Sequence, residues 1–185
     1  MYNYKFKILL LFFVINIYSC KKNSINSVEK NGIVSSIHPL ASEVGINILK
    51  KNGNAVDAAI ATGLALGVVD QFNSGLGGGA FIMIRLSNGK IFSIDGREKA
   101  PSKATQKMYN FDGKINTYLS QNGPLSVAVP GLPAAYIKAL NLAGTKKLAE
   151  LIKPSINIAK NGFKLDDDYI RRYKINIDEL KKDSS

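Results

Sequence analysis

Tryptophan is absent, and the chain holds a single cysteine, Cys20, and a single histidine, His38. One cysteine excludes an intrachain disulfide and a thiolate metal site. One histidine, with no cysteine or carboxylate cluster beside it, lacks the partners of a zinc centre or a histidine-based triad. His38 directly precedes Pro39 where a helical pattern begins, which gives it a structural role at a helix start. No metal and no cofactor is expected. Acidic residues are scarce: 14 Asp and Glu against 25 Lys and Arg give a formal charge of +11. The lysines are scattered and no base-stacking motif accompanies them, so nucleic acid is not expected as a partner. The charge reads as compositional bias, of some use near anionic lipid. Neither of the two long apolar runs is long enough to cross a bilayer.

The first of those runs, Ile8 to Ile15, follows Lys5 and Lys7. A basic n-region before a short apolar h-region is the pattern of an export signal. It leads into Ile17-Tyr18-Ser19-Cys20. That segment resembles a bacterial lipobox, in which a small residue precedes a cysteine that is lipidated and becomes the new N-terminus. Tyr18 is bulkier than that pattern prefers. The resemblance implies a signal over residues 1–20, lipidation at Cys20, and a membrane-anchored protein of the bacterial periplasm or cell envelope. Residues 21–31 are polar and aperiodic and read as a flexible tether. The folded domain is expected over residues 32–185.

Within it, Ile33-Val34 suggests a short strand. Pro39 opens a helix whose apolar stripe is Leu40, Val44, Ile48 and Leu49, stopped by Gly53. Asn54 and Asp57 form a near capping box for a second helix. From Val56 to Val69 almost every residue is apolar or small, which predicts a helix buried on all sides. Ala80 to Leu86 and Lys90 to Ile94 flank Asn88-Gly89, a strong hairpin signal. Asp112-Gly113 marks another turn, and residues 124–133 read as irregular. Helices are expected over Ala134 to Leu142 and Leu148 to Ala159, the second interrupted or restarted at Pro154. Tyr169, Tyr173, Ile177 and Leu180 form a last helical stripe. Helices beside a hairpin give a mixed α/β (α+β) class.

Three features invite a chemical reading. Gly77-Gly78-Gly79 leads from a helix into a strand, the reverse of a phosphate loop, and no Gly-Lys-Ser/Thr follows. Tight backbone passage explains these glycines without a ligand. Asp166-Asp167-Asp168 reads as the acidic first turn of a helix, not as a metal site. Arg97 is different. It stands at a strand end in Asp95-Gly96-Arg97-Glu98, where binding residues commonly project. Its planar fork suits a carboxylate. The plainer reading is a surface arginine paired to Asp95 or Glu98.

Several ordered motifs resemble those of γ-glutamyltranspeptidases (glutathione hydrolases). They are Ser36-Ile37-His38-Pro39-Leu40-Ala41-Ser42, Gly53-Asn54-Ala55-Val56-Asp57-Ala58-Ala59, Ser74-Gly75-Leu76-Gly77-Gly78-Gly79, Asp95-Gly96-Arg97-Glu98 and Val129-Pro130-Gly131. They look like the start of that family's large subunit. The resemblance implies an N-terminal-nucleophile hydrolase with an αββα sandwich, of which only the N-terminal portion is present. It implies a proenzyme that cuts itself, freeing a threonine at the N-terminus of a small subunit. That threonine attacks the γ-glutamyl carbonyl of glutathione with its own α-amine as base. The γ-glutamyl group then passes to water or to an amino acid. Arg97 matches the family's substrate-carboxylate arginine. The implied partners are glutathione, other γ-glutamyl compounds and the small subunit. The Thr-Thr-His segment around the cleavage site is absent, and Thr62, Thr105, Thr117 and Thr145 stand outside such a context. No catalytic residue is therefore expected in these residues. The expectation is an inactive, truncated part of a longer product. The alternatives are a non-catalytic lipoprotein binding module on the same fold, or a related acylase.

Overall fold

A computed structural model describes residues 28–29 and 32–182. The export signal, Cys20 and most of the tether lie outside the described residues. Val28–Glu29 (β1) pairs antiparallel with Gly32–Ile33 (β2), so a small ladder occupies the end of the segment read as tether.

Helix α1 spans Pro39–Lys50. His38 caps it as the sequence suggested: its Nδ1 accepts from the Leu40 amide at 3.2 Å. The stop differs from expectation. Asn52, not Gly53, takes the left-handed conformation, with φ 59°. The Gly53 amide donates to Ile48 O and the Asn52 amide to Leu49 O, which is a Schellman closure.

Helix α2, Ala55–Val69, is the hub. It packs on α1 and on three later helices. The capping box is complete. Asn54 Oδ1 accepts the amides of Val56 and Asp57, and Asp57 Oδ2 accepts the Asn54 amide. The expectation of burial on all sides holds for only part of the helix. Asp57, Ala58, Ile60, Ala61, Leu64, Ala65 and Val69 are buried, but Ala55 and Ala59 are exposed. Those two face grooves, one of which runs along the adjoining strand.

That strand is β3, Ala80–Arg85, paired antiparallel with β4, Ile91–Gly96. Alternation sorts the hairpin cleanly. Ile82, Ile84, Phe92 and Ile94 turn toward the helices, with Ile84 and Ile94 buried. Phe81, Met83 and Ile91 turn away and are 70%, 77% and 61% exposed. Gly89 alone in the connection has positive φ, 83°, which fits a three-residue hairpin loop.

Residues 100–128 form an excursion in which most residues are exposed and none is buried. It carries a miniature hairpin, Asn110–Phe111 (β5) and Lys114–Ile115 (β6), turned at Asp112 and Gly113, both at positive φ. A short helix α3, Thr117–Gln121, and a 3₁₀ turn, Pro124–Ser126, follow. Lys99 and Val129 close its neck with reciprocal amide–carbonyl bonds of 3.1 and 2.8 Å.

Helix α4, Leu132–Ala143, begins two residues before the expected start, because Pro133 sits comfortably in a first turn. It packs on both strands of the hairpin and on α2. Helices α5, Leu148–Leu151, and α6, Lys153–Asn161, break where Pro154 predicted. Helix α7, Asp167–Leu180, uses Asp166 Oδ1 to accept the Tyr169 amide. Of its apolar stripe, Tyr169 is held between Phe72 and Phe163, with ring centroids 5.1 and 5.9 Å away. Tyr173 and Leu180 remain exposed.

Candidate functional site

The residue singled out by sequence, Arg97, lies where three segments cross. Strand β4 delivers Gly96 and Arg97. The glycine-rich turn Ser74–Gly79 passes on one side and the Pro130-Gly131 entry to α4 on the other. The crossing is made of backbone against backbone. A Cβ at Gly131 would collide with Gly96 O and stand 2.5 Å from Arg97 O. A Cβ at Gly79 would stand 2.7 Å from Gly96 O and 3.0 Å from Arg97 Cα. The Leu132 amide donates to Gly78 O at 3.1 Å, locking turn and helix together. The glycines thus build a socket for the Arg97 backbone, in keeping with the packing role read from the sequence.

Asp95 Oδ1 accepts the Arg97 amide at 3.0 Å. The side chain is two-thirds exposed. Its guanidinium carbon lies 5.8 Å from the centroid of the Phe81 ring, within cation–π range. Its Nε lies 3.4 Å from Glu98 Oε2. So Asp95 takes the backbone and Glu98 the side chain. The pairing with Glu98 is the one the plainer surface reading expects. It is long and exposed, and pairs of that kind contribute at most about 1 kcal/mol.

Glu98 also lines a cleft of about 580 Å³ under the glycine-rich turn, together with Gln71, Asn73 and Tyr136. Burial pushes the Tyr136 phenol pKa up, so the hydroxyl keeps its proton. That hydroxyl sits against Gly63, where a Cβ would clash with it. A second groove, of about 680 Å³, follows β3 between α2 and α4. Among the described residues no group of three His, Cys, Asp or Glu is placed to hold a metal ion.

Thr62 and Thr145 have structural roles. Thr62 Oγ1 donates to Ala58 O within α2. Thr145 Oγ1 donates to Asp57 Oδ2. The parts that sequence reasoning missed are Phe81 and Tyr136. Phe81 was legible in principle, since hairpin register puts it opposite Asp95.

This framework is shared. A sequence model of the family described as Gamma-glutamyltranspeptidase matches residues 41–185. The chain belongs to the γ-glutamyltranspeptidase family. It is 44% identical over 133 residues to Glutathione hydrolase proenzyme 1 of Schizosaccharomyces pombe, covering 72% of this chain and 20% of that protein. It is 39% identical over 153 residues to Acylase ACY 1 proenzyme of Pseudomonas sp. (strain SE83), covering 79% of this chain and 27% of that one. The solved γ-glutamyltranspeptidase of Helicobacter pylori superposes with a TM-score of 0.80 at 42% identity, over 85% of this chain and 45% of that chain. The α+β fold is therefore that of the γ-glutamyltranspeptidases. The chain spans about a quarter of the length of these two relatives.

Proposed function

We propose that this chain supplies the carboxylate-gripping part of an enzyme that cleaves the γ-glutamyl bond of glutathione and transfers the γ-glutamyl group to water or to an amino acid. One observation carries the reading. Arg97 stands in a rigid glycine-built socket at a strand end, with its guanidinium open to solvent. A guanidinium held in this way takes a carboxylate through two parallel bonds.

In this reading Arg97 binds the α-carboxylate of the donor and fixes the γ-carbonyl at a set distance. The nucleophile is a threonine freed by self-cleavage elsewhere in the proenzyme, on the small subunit. Its hydroxyl adds to the γ-carbonyl while its α-amine takes the proton, and cysteinylglycine leaves as the amine. Water or an amino acid then attacks the resulting ester. The described residues position the donor and perform none of the bond-making. The same reading puts the protein outside the cytoplasm, held to the membrane through a lipid on Cys20.

The test is Arg97→Lys in the full-length proenzyme, with γ-glutamyl-anilide hydrolysis and self-cleavage measured side by side. An ammonium cannot reproduce the fork. Donor kcat/KM should fall by the equivalent of about 2–5 kcal/mol, the cost of a half-made charged pair once the donor and the rest of the proenzyme close over Arg97. Self-cleavage, which involves no free α-carboxylate, should keep its rate. Unchanged donor kinetics would reduce Arg97 to a structural arginine.

A second reading, an acylase with another acyl donor, draws on the likeness to Acylase ACY 1 proenzyme. Wild-type enzyme that prefers a glutaryl-anilide to the γ-glutamyl-anilide would favour it.

A further inference from the structure

We infer that the 100–128 excursion is a membrane-contact element, whose lysines and exposed apolar side chains seat on an anionic lipid surface. This contact is separate from the chemistry of Arg97 and does not depend on a lipid at Cys20. Lys103, Lys107 and Lys114 are all exposed, and Asp112 is the only acidic residue of the excursion. None of the three lysines pairs with a carboxylate among the described residues. Large apolar groups stand among them. Phe111, Ile115 and Tyr118 are 50%, 76% and 66% exposed. Phe111 lies directly opposite Lys114 in the β5–β6 ladder, so the ring and the lysine stem share one face of that hairpin. A lysine stem can lie along apolar surface while its ammonium reaches a phosphate.

The element holds these groups in place before any partner arrives. Lys107 O accepts the Asn110 amide at 2.9 Å, turning the chain into β5, and Tyr109 O accepts the Asn116 amide at 2.8 Å, extending the ladder. The Tyr109 hydroxyl donates to Leu125 O at 2.9 Å and ties the hairpin to the 3₁₀ turn. Asn116 Oδ1 accepts the Leu119 amide at 3.2 Å and caps α3, the helix that carries Tyr118. Groups ordered in advance lose less freedom on binding.

Charge selects the occupant. Lysine is depleted where one protein covers another. An anionic leaflet attracts it, by about fivefold in affinity for each lysine near the surface. Apolar side chains among the lysines then enter the boundary between headgroups and acyl chains. Ile115, the most exposed of the three, would gain nothing from stacking on a nucleic-acid base but has a place at that boundary.

The test uses the full-length protein beginning at residue 21, which carries no acyl chain. It is floated with vesicles of phosphatidylcholine alone and with vesicles containing about one-third phosphatidylglycerol. It should float only with the anionic vesicles and be released at about 0.5 M salt. The Lys103→Gln/Lys107→Gln/Lys114→Gln variant should bind about a hundredfold more weakly. Phe111→Ser/Ile115→Ser should bind about tenfold more weakly. Both should keep the wild-type circular dichroism. The same charge removal at the exposed Lys153, Lys160 and Lys164, in and after α6, should change binding by no more than about threefold. Amine-reactive labelling of the unmutated protein, read by mass spectrometry, should find Lys103, Lys107 and Lys114 reactive in solution and shielded on the anionic vesicles. Failure to float with those vesicles would overturn the proposal, as would an equal loss in the α6 variant. Lysines already shielded in solution would assign the excursion to a cover of protein instead. Binding to a single-stranded oligonucleotide in place of the vesicles would overturn it as well.

Discussion

Asp57 and Thr145, 88 residues apart in the chain, are joined twice. The Thr145 hydroxyl donates to Asp57 Oδ2 at 2.5 Å and its amide to Oδ1 at 2.9 Å. The Lys146 amide adds a third bond, to Oδ1 at 3.0 Å. The carboxylate is fully buried and pins the loop after α4 to the start of α2.

Burial alone would raise the Asp57 pKa, but the Thr145 hydroxyl and the amides of Asn54, Lys146 and Thr145 outweigh it and hold the group below the usual carboxylate value. A carboxyl whose folded pKa is depressed stabilises the fold above its unfolded value and loses that contribution as pH falls through the folded one. Stability should therefore be level between neutrality and about pH 5 and decline below about pH 4. Asp57→Asn should cost about 3 kcal/mol at pH 7, because the new NH₂ group faces buried donors. It should also flatten the acid decline. Urea unfolding at pH 7 and pH 3 checks both, and an acid limb unchanged in the mutant would assign it to other carboxyls.

Gly131→Ala and Gly89→Ala should separate two uses of glycine. At Gly131 φ is an ordinary −98°, and the obstacle is the carbonyls of Gly96 and Arg97. Overpacking against backbone should cost about 3 kcal/mol and shift Arg97, raising the donor KM. At Gly89 φ is 83° with open space around it, so alanine should cost about 1 kcal/mol and leave KM alone. Equal effects on KM would count against the socket.

The outer face of the β3–β4 hairpin carries Phe81, Met83 and Ile91, all more than half exposed. Contiguous apolar surface of this kind promotes association. The 185-residue chain expressed by itself should bind an apolar dye and sediment as more than a monomer. The Met83→Thr/Ile91→Thr pair should reduce both while preserving the circular dichroism of the hairpin. A dye-silent wild-type monomer would mean that this face needs no cover.

The anchor proposed at Cys20 has a direct check. Palmitate labelling of the expressed protein should vanish in Cys20→Ser. Label that persists in the mutant would place the acyl chain elsewhere.

The longer helices and the main hairpin were legible because their signals are local, whereas the short helix Thr117–Gln121 was not read. Pro39, the Asn54–Asp57 pair, Asn88-Gly89 and Pro154 each act within a few residues of their own position. Asp57 shows where that legibility stops. Its capping bond to Asn54 is written in the sequence, whereas its bonds to Thr145 and Lys146 arise only when α4 folds back on α2. The end of α1 misled in a small way: Gly53 looks like the left-handed stop, yet its amide closes on Ile48 O, which moves that conformation to Asn52. Helix α2 misled in a larger one, because composition alone cannot distinguish a helix enclosed on all sides from one whose alanine edge lines a groove. At the site, Arg97 was visible from its place at a strand end. So was its pairing with Glu98, one residue on, whereas Tyr136 was not, because it reaches the same cleft only when α4 packs on α2.

The bridge between Lys99 and Val129 has a consequence for how this protein tolerates change in length. It sets the two ends of the 100–128 excursion side by side, and Gly131 packs closely against the Gly96 backbone immediately beyond. Inserted residues at the Asp112-Gly113 tip would lengthen a loop whose ends are already fixed, and each doubling of such a loop adds only about 0.6 kcal/mol. An epitope tag or a fluorescent label can therefore be carried there, a full excursion away from Arg97 along the chain yet on the same molecule. It would report on the protein without passing through its glycine crossing.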